Sequence, residues 1–304
     1  MDIGQSVRSV AGVFFKWCGV LVLLAGLSAC AWLDERQRLL IYRPSPNVDN
    51  DNTQLSLGDS RFFLPVPYDR ATSNDPAHSG QAQRIALWWL PHADPAAPAL
   101  LYLHGTLRSL PGNRPKIEAL RQAGFSVLAV DYRGWGQSSV ITPSESSITQ
   151  DATVAFAELQ RREPRPYKRV IYGHSMGSGA AVALAGRLQG RADVGALILE
   201  SGFTSFADVA REAGFWAGLA AQFTQERFAS VQTIDQIQVP LLMIHGSQDN
   251  TIPPILGQRL FAAAHAPKQW LLIEGGQHSD LHSVAPAQYQ AALIAFRQQY
   301  LVQP

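Results

Sequence analysis

Cysteine is nearly missing from this chain. Its 304 residues hold two, Cys18 and Cys30, and neither stands in a Cys-x-x-Cys pair or a histidine-rich cluster. That argues against a disulfide framework and against a zinc site, so no metal is expected. Charge is also sparse: 16% of residues are Asp, Glu, Lys or Arg, against about 25% in an average domain. The 25 basic and 24 acidic residues leave a formal net charge of +1 with no basic block, which argues against a nucleic-acid partner. No internal repeat and no low-complexity tract breaks the pattern. What remains is 46% hydrophobic and long enough to bury a large core in one α/β domain.

The one apolar run that approaches a membrane span lies at the start. Arg8 and Lys16 give it a positive entry, Gly19 to Leu27 are apolar, and Leu27-Ser28-Ala29-Cys30 follows. This resembles a bacterial lipoprotein signal, cut before Cys30 and lipidated there. An uncleaved membrane helix over 17–33 is the alternative, but that stretch is short beside the roughly 20 residues a span needs. The resemblance implies a signal peptide over 1–29 and a tether and loop over 30–59. It implies a chain held in the cell envelope through lipid on Cys30 and facing the periplasm. Ala31, in place of an Asp beside the lipidated cysteine, favours the outer membrane if the cell is Gram-negative.

Beyond residue 60 the pattern is that of a layered domain. Phe62 to Val66 and Arg84 to Leu90 read as early antiparallel strands. Ala99 to Leu103 is continuously apolar, as a strand covered on both faces must be. Strands over 126–130, 169–172, 195–199, 241–244 and 270–273 then alternate with helical stretches, including 116–123, 148–162 and 286–301. That alternation requires a mostly parallel central sheet with helices on both faces. The stretch between the strands ending at Leu199 and starting at Leu241 is too long for a simple crossover. A small helical insertion, a lid over about 203–236, is expected there. Its apolar Phe215-Trp216 segment reads either as a pocket wall or as an ordinary packed helix.

Gly173-His174-Ser175-Met176-Gly177 follows one strand and precedes a helix. Such a turn lifts a serine hydroxyl clear of the sheet and aims the next helix N-terminus at the reacting atoms. A serine hydroxyl needs a base, and the base needs a carboxylate to orient it. In parallel sheets both should lie in loops at strand carboxyl ends. Asp249 follows one such strand and His278 another, in the order Ser, Asp, His. Glu200 is the rival acid and His282 the rival base. His104 and His245 each precede a glycine and read as loop fasteners, as do Asp131 and Arg133. Asp280 reads as a surface residue.

With Leu103-His104-Gly105-Thr106, the run Asp131 to Ser138, and the Ser175, Asp249 and His278 segments, the chain resembles an α/β-hydrolase of the serine-hydrolase superfamily. The resemblance covers about residues 60–304 and is nearest the α/β-hydrolase-domain and serine-aminopeptidase-like lipase branch. It implies an oxyanion hole built from the backbone amides of Thr106 and Met176, with Leu107 as a substitute donor. His174 and Trp135 are expected at the substrate pocket beside Phe215 and Trp216. The implied reaction is cleavage of a small-molecule or lipid ester or thioester through an acyl-enzyme, with no cofactor. An amidase or peptidase with the same triad, and a non-catalytic binding protein on this fold, stay open.

Overall fold

The computed structural model describes residues 32–46, 53–67, 82–265 and 267–301. The expected signal segment 1–29 and Cys30 lie outside them, and so does the side chain of Trp216. Two compact units emerge, Met1–Ile41 and Tyr42–Pro304. Residues 32–42 form a helix, α1, in which Asp34 pairs with Arg38 at 2.9 Å. Among the described residues no helix is long and apolar enough to cross a membrane.

The second unit is built on an eight-stranded sheet. Its strands are β2 (Ser60–Val66), β3 (Gln83–Leu90), β4 (Ala99–Leu103), β5 (Ser126–Asp131), β7 (Arg169–His174), β8 (Ala196–Glu200), β9 (Leu241–Gly246) and β10 (Lys268–Ile273). Their order is β10-β9-β8-β7-β4-β5-β3-β2. The six strands β4, β5 and β7 to β10 are parallel, whereas β3 runs antiparallel to both β5 and β2. Two further short strands, β1 (Ser45–Pro46) and β6 (Trp135–Gly136), pair apart from the main sheet. The expected mostly parallel architecture, with its antiparallel entry pair, is therefore the one found.

Alternation along each strand sorts side chains onto two faces. Leu100, Tyr102, Val170, Tyr172 and Ile198 share one core with α2 (Leu110–Gln122) and α9 (Pro286–Tyr300). Helices α3 (Glu145–Arg162) and α4 (Met176–Ala185) pack against each other and against β4. Every residue of β4, β5, β7, β8 and β9 is buried, which explains their apolar interiors, with polar residues confined to strand ends. Helix α2 begins six residues before the expected 116–123 stretch. Pro111 occupies its first turn, where a missing N–H costs nothing, and the helix then tolerates Pro115 in its interior.

The chain passes from β4 to β5 on one side, then returns to β7 on the other side of β4. Crossovers diverge at that point and leave a crevice at the carboxyl ends of β4 and β7. Between β8 and β9 lie α5 (Phe206–Ala213), α6 (Phe215–Ala220) and short turns of 3₁₀ helix. Glu145 ties this insertion to α3, its carboxylate accepting the amides of Arg227 at 2.7 Å and Phe228 at 2.9 Å. Helices α7 (Pro254–Ala263) and α8 (Leu281–Val284) complete the unit.

Candidate active site

Ser175 stands between β7 and α4 with φ 56° and ψ −126°, a conformation that side chains rarely adopt. Its neighbours explain how the turn is held. A Cβ on Gly177 would lie 2.1 Å from the Leu103 carbonyl oxygen. One on Gly173 would lie 2.3 Å from the Gly177 carbonyl oxygen. Only glycine lets α4 approach β4 and β7 this closely. The Ser175 amide donates to the Glu200 carbonyl at 3.0 Å, which ties the strained residue to the next strand.

The structure brings Ser175, His278 and Asp249 together. His278 Nε2 lies 2.8 Å from Ser175 Oγ, and Nδ1 lies 2.8 Å from Asp249 Oδ2. With its proton on Nδ1, the imidazole donates to the carboxylate and accepts from the serine hydroxyl. The other carboxylate oxygen of Asp249 accepts the amides of Thr251 at 3.0 Å and Ile252 at 2.8 Å. Burial alone would raise this carboxyl. Its bond to His278, the His278 charge, the Ile252 amide and His245 outweigh that and hold it below the usual aspartate range. His245 is fully buried under Asp249, with Nε2 2.9 Å from the Ile252 carbonyl oxygen and its ring stacked on Trp270. It fastens the loop, as expected.

Thr106 lines the pocket with Ser175, Met176 follows Ser175 as the first residue of α4, and among the described residues no acceptor takes either amide. Both are thus available to an incoming oxyanion. The Thr106 carbonyl is fixed from behind by Trp135, whose Nε1–H donates to it at 2.7 Å. Trp135 is fully buried against His104 and Tyr132 and does not line the pocket. It braces the loop that carries Thr106, which corrects its expected place at the pocket wall. Phe215 is corrected as well: it is 76% exposed, and none of the described side chains of α5 or α6 lines the pocket beside Ser175. The insertion is tied instead to α3 through Glu145.

His174 lines the pocket but is only 5% exposed. Its Nε2 donates to the His278 carbonyl oxygen at 2.9 Å, and Ser201 Oγ donates to the same oxygen at 3.2 Å. Burial and then the Lys116 charge push the His174 imidazole well below the usual histidine range, so it stays a neutral, one-proton donor. His174 thereby fixes the backbone that carries the base. A His174→Ala variant is expected to lose about 10- to 100-fold in kcat with little change in KM, and His174→Gln to recover part of it. Steady-state kinetics beside a thermal melt checks this, and an unchanged kcat contradicts it.

Glu200 is not the orienting acid. Its carboxylate lies fully buried beneath the site and accepts from Lys116 Nζ and Tyr172 Oη, and from Tyr289 Oη at 2.9 Å. Burial alone would raise this group. The Lys116 charge, then His174 and the hydrogen bonds from Lys116 and Tyr172, overcome burial and hold it down at about 2. Lys116 was hidden in the sequence, because one lysine among the apolar residues of a helix carries no sign of its partner. His282 lines the pocket yet makes no bond to Ser175, whereas His278 does. His104 Nε2 lies 3.2 Å from Asp131 Oδ1 without the alignment of a hydrogen bond, and Asp131 also accepts the Leu110 amide at 2.9 Å. Arg133 is locked to Asp151 at 2.7 Å. Among the described residues no cluster of His, Cys, Asp or Glu is arranged to hold a metal ion.

A pocket of about 110 Å³ opens beside Ser175 and His278. The chain is similar to known proteins in this architecture. The family model for serine aminopeptidase S33 matches residues 94–233. Uncharacterized protein YfhR of Escherichia coli O157:H7 is 31% identical over 233 residues, covering 74% of this chain and 79% of that protein. Lysophosphatidylserine lipase ABHD12 of Danio rerio is 34% identical over 199 residues, covering 60% of this chain and 51% of that protein. Among solved structures, Pyrococcus furiosus esterase Pf2001 superposes with a TM-score of 0.63 at 17% identity, covering 85% of this chain and 98% of that one. The strand order, the strained serine turn and these relatives together place the chain in the α/β-hydrolase superfamily, to which it belongs.

Proposed function

We propose that this hydrolase cleaves carboxylic esters or thioesters through an acyl-enzyme on Ser175. The observation that carries the reading is His278, bonded at 2.8 Å to Ser175 on one side and at 2.8 Å to Asp249 on the other. His278 takes the serine proton as Oγ attacks the carbonyl carbon, then returns it to the leaving group. Asp249 holds the imidazole in the working tautomer and stabilises its charged form. The Thr106 and Met176 amides face the oxygen that becomes negative, worth a few kcal/mol per donor. Water then enters and attacks the acyl carbon as His278 takes its proton, the bond to Oγ breaks, His278 returns the proton to Ser175, and the acyl group leaves as the acid. None of these steps calls for a metal or an organic cofactor.

The relatives support an ester of a fatty acid or lipid alcohol, since one is named an esterase and another a lysophosphatidylserine lipase. The S33 family name favours a second reading, removal of an N-terminal amino acid. An aminopeptidase must hold a substrate ammonium group, and no Asp or Glu lines the described pocket to do so. Matched esters, thioesters and aminoacyl amides, assayed over a range of acyl lengths, separate the two. Esters and thioesters are expected to turn over at least 100-fold faster in kcat/KM. Faster cleavage of the amides would favour the peptidase. A tether through lipid on Cys30 belongs to the same proposal, supported by the Leu27-Ser28-Ala29-Cys30 pattern. The mass of the mature N-terminal peptide tests it.

A further inference from the structure

The pocket beside Ser175 is lined by titratable groups of one kind. Arg108, Lys116, His174, His278 and His282 face it, and no carboxylate does. Each acid packed around it already has partners. Asp249 holds His278, Glu200 holds Lys116, Asp131 accepts the Leu110 amide, and Asp280 accepts the Gln277 amide at 2.7 Å. Arg108 is the exception among the cations. Its side chain is exposed at the pocket wall and makes no ion pair or side-chain hydrogen bond among the described residues.

Arg108 is also held in place from below. Asn113, 8% exposed, donates from Nδ2 to the carbonyl oxygens of Arg108 at 2.8 Å and Ser109 at 2.9 Å. Its Oδ1 accepts the Tyr102 hydroxyl at 3.0 Å, so the clamp reaches into the core. The Arg108 stem lies over Gly112, where a Cβ would come within 3.1 Å of the Arg108 Cβ and 3.3 Å of its Cγ and Cδ. A glycine at this place lets the stem lie flat along the first turn of α2. That turn carries no acidic residue of its own, but the Asp131 carboxylate accepts its first amide at 2.9 Å, so the charge at this wall comes from the guanidinium and not from the helix end.

We propose that Arg108 is a specificity-determining residue that pairs with an anionic group, a carboxylate or a phosphate, carried by the ester substrate. This rests on the ester-hydrolase reading above and names the chemistry of the substrate it takes. A planar guanidinium offers paired N–H donors to either oxyanion. Lys116 is already neutralised by Glu200, so Arg108 supplies the charge that an anion meets on entering. A neutral substrate gains nothing from it, because burying part of an unpaired guanidinium without an acceptor is costly.

Steady-state kinetics on matched pairs tests the proposal. Nitrophenyl butyrate is compared with nitrophenyl hemisuccinate, which carries a carboxylate on the acyl side. Glycerol monobutyrate is compared with its 3-phosphate, which carries the anion on the alcohol side. The wild-type protein is expected to favour one anionic member over its neutral partner by about tenfold in kcat/KM, and the pair that shows it identifies the source of the charge. Arg108→Gln is expected to raise KM for that anionic ester about tenfold while changing KM for the neutral one less than twofold. Arg108→Lys keeps part of the preference, Arg108→Glu reverses it, and added salt weakens it. Equal treatment of both members of both pairs by the wild-type protein overturns the proposal, as does an equal loss on neutral and anionic esters in Arg108→Gln. Turnover of the neutral esters in either case leaves the hydrolase reading intact, whereas no turnover of any ester refutes that reading first.

Discussion

The Ser175→Ala protein is expected to lose ester hydrolysis by about 10⁴- to 10⁶-fold in kcat while folding normally. The hydroxyl makes one hydrogen bond of consequence, to His278, and its removal leaves the backbone free to keep the same turn. His278→Ala is expected to fall by a similar amount. The double variant should be little worse than either single one, because the two side chains act as a unit. Asp249→Asn should cost about 10⁴-fold, since an amide in that place favours the imidazole tautomer that cannot accept the serine proton. The same ester assay, run with a thermal melt on each variant, checks all four. Additive losses in the double variant would mean that Ser175 and His278 do not work in one step.

Glu200→Gln is expected to produce the largest loss of stability of any single substitution near the site. It leaves the Lys116 ammonium, 3% exposed, without its counter-charge, at a cost of about 3–5 kcal/mol. For a domain of this size that is a fall in Tm of roughly 10 °C. Adding Lys116→Met should recover part of it, because the Gln carbonyl still accepts from Tyr172 and Tyr289 and no bare charge remains. The effect has a defined pH dependence. The Glu200 carboxyl is held at about 2 when folded and returns to its ordinary value of 4.5 when the chain unfolds. Its contribution is therefore complete above the unfolded value and is lost as pH falls from there towards 2. The gap between wild type and Glu200→Gln should narrow over that window. Asp249, also lowered, adds to acid unfolding of the wild type in the same sense. Denaturant melts between pH 7 and pH 3 measure it, and a gap that widens on acidification contradicts the account.

What the sequence disclosed and what it hid divide along physical lines. The serine turn was legible because Gly173 and Gly177 answer to backbone contacts, which leave a mark at fixed positions. Asp249 and His278 were legible because each follows an apolar strand run, fully buried in β9 and half-buried in β10, so their loops had to open at the same end of a parallel sheet. Strand interiors were legible for the same reason, and their ends fell within a residue or two. Side-chain partnerships across layers were not. Lys116 and Glu200 lie 84 residues apart and meet only because the lysine side chain reaches from α2 to the last residue of β8. Trp135 and Phe215 were misplaced since an aromatic near a site reads the same whether it lines a cavity, braces a loop or faces solvent. The short pairing of β1 with β6 left no periodic signal at all.

Activity-based labelling puts the central claim to its most direct test. The folded protein is treated with a fluorophosphonate, digested, and the modified peptide is identified by mass spectrometry. The account predicts one adduct, on the Oγ of Ser175, formed rapidly in the wild-type protein and slowed by at least 100-fold in His278→Ala. A natively folded protein that takes no label, or takes it on another serine, would contradict it.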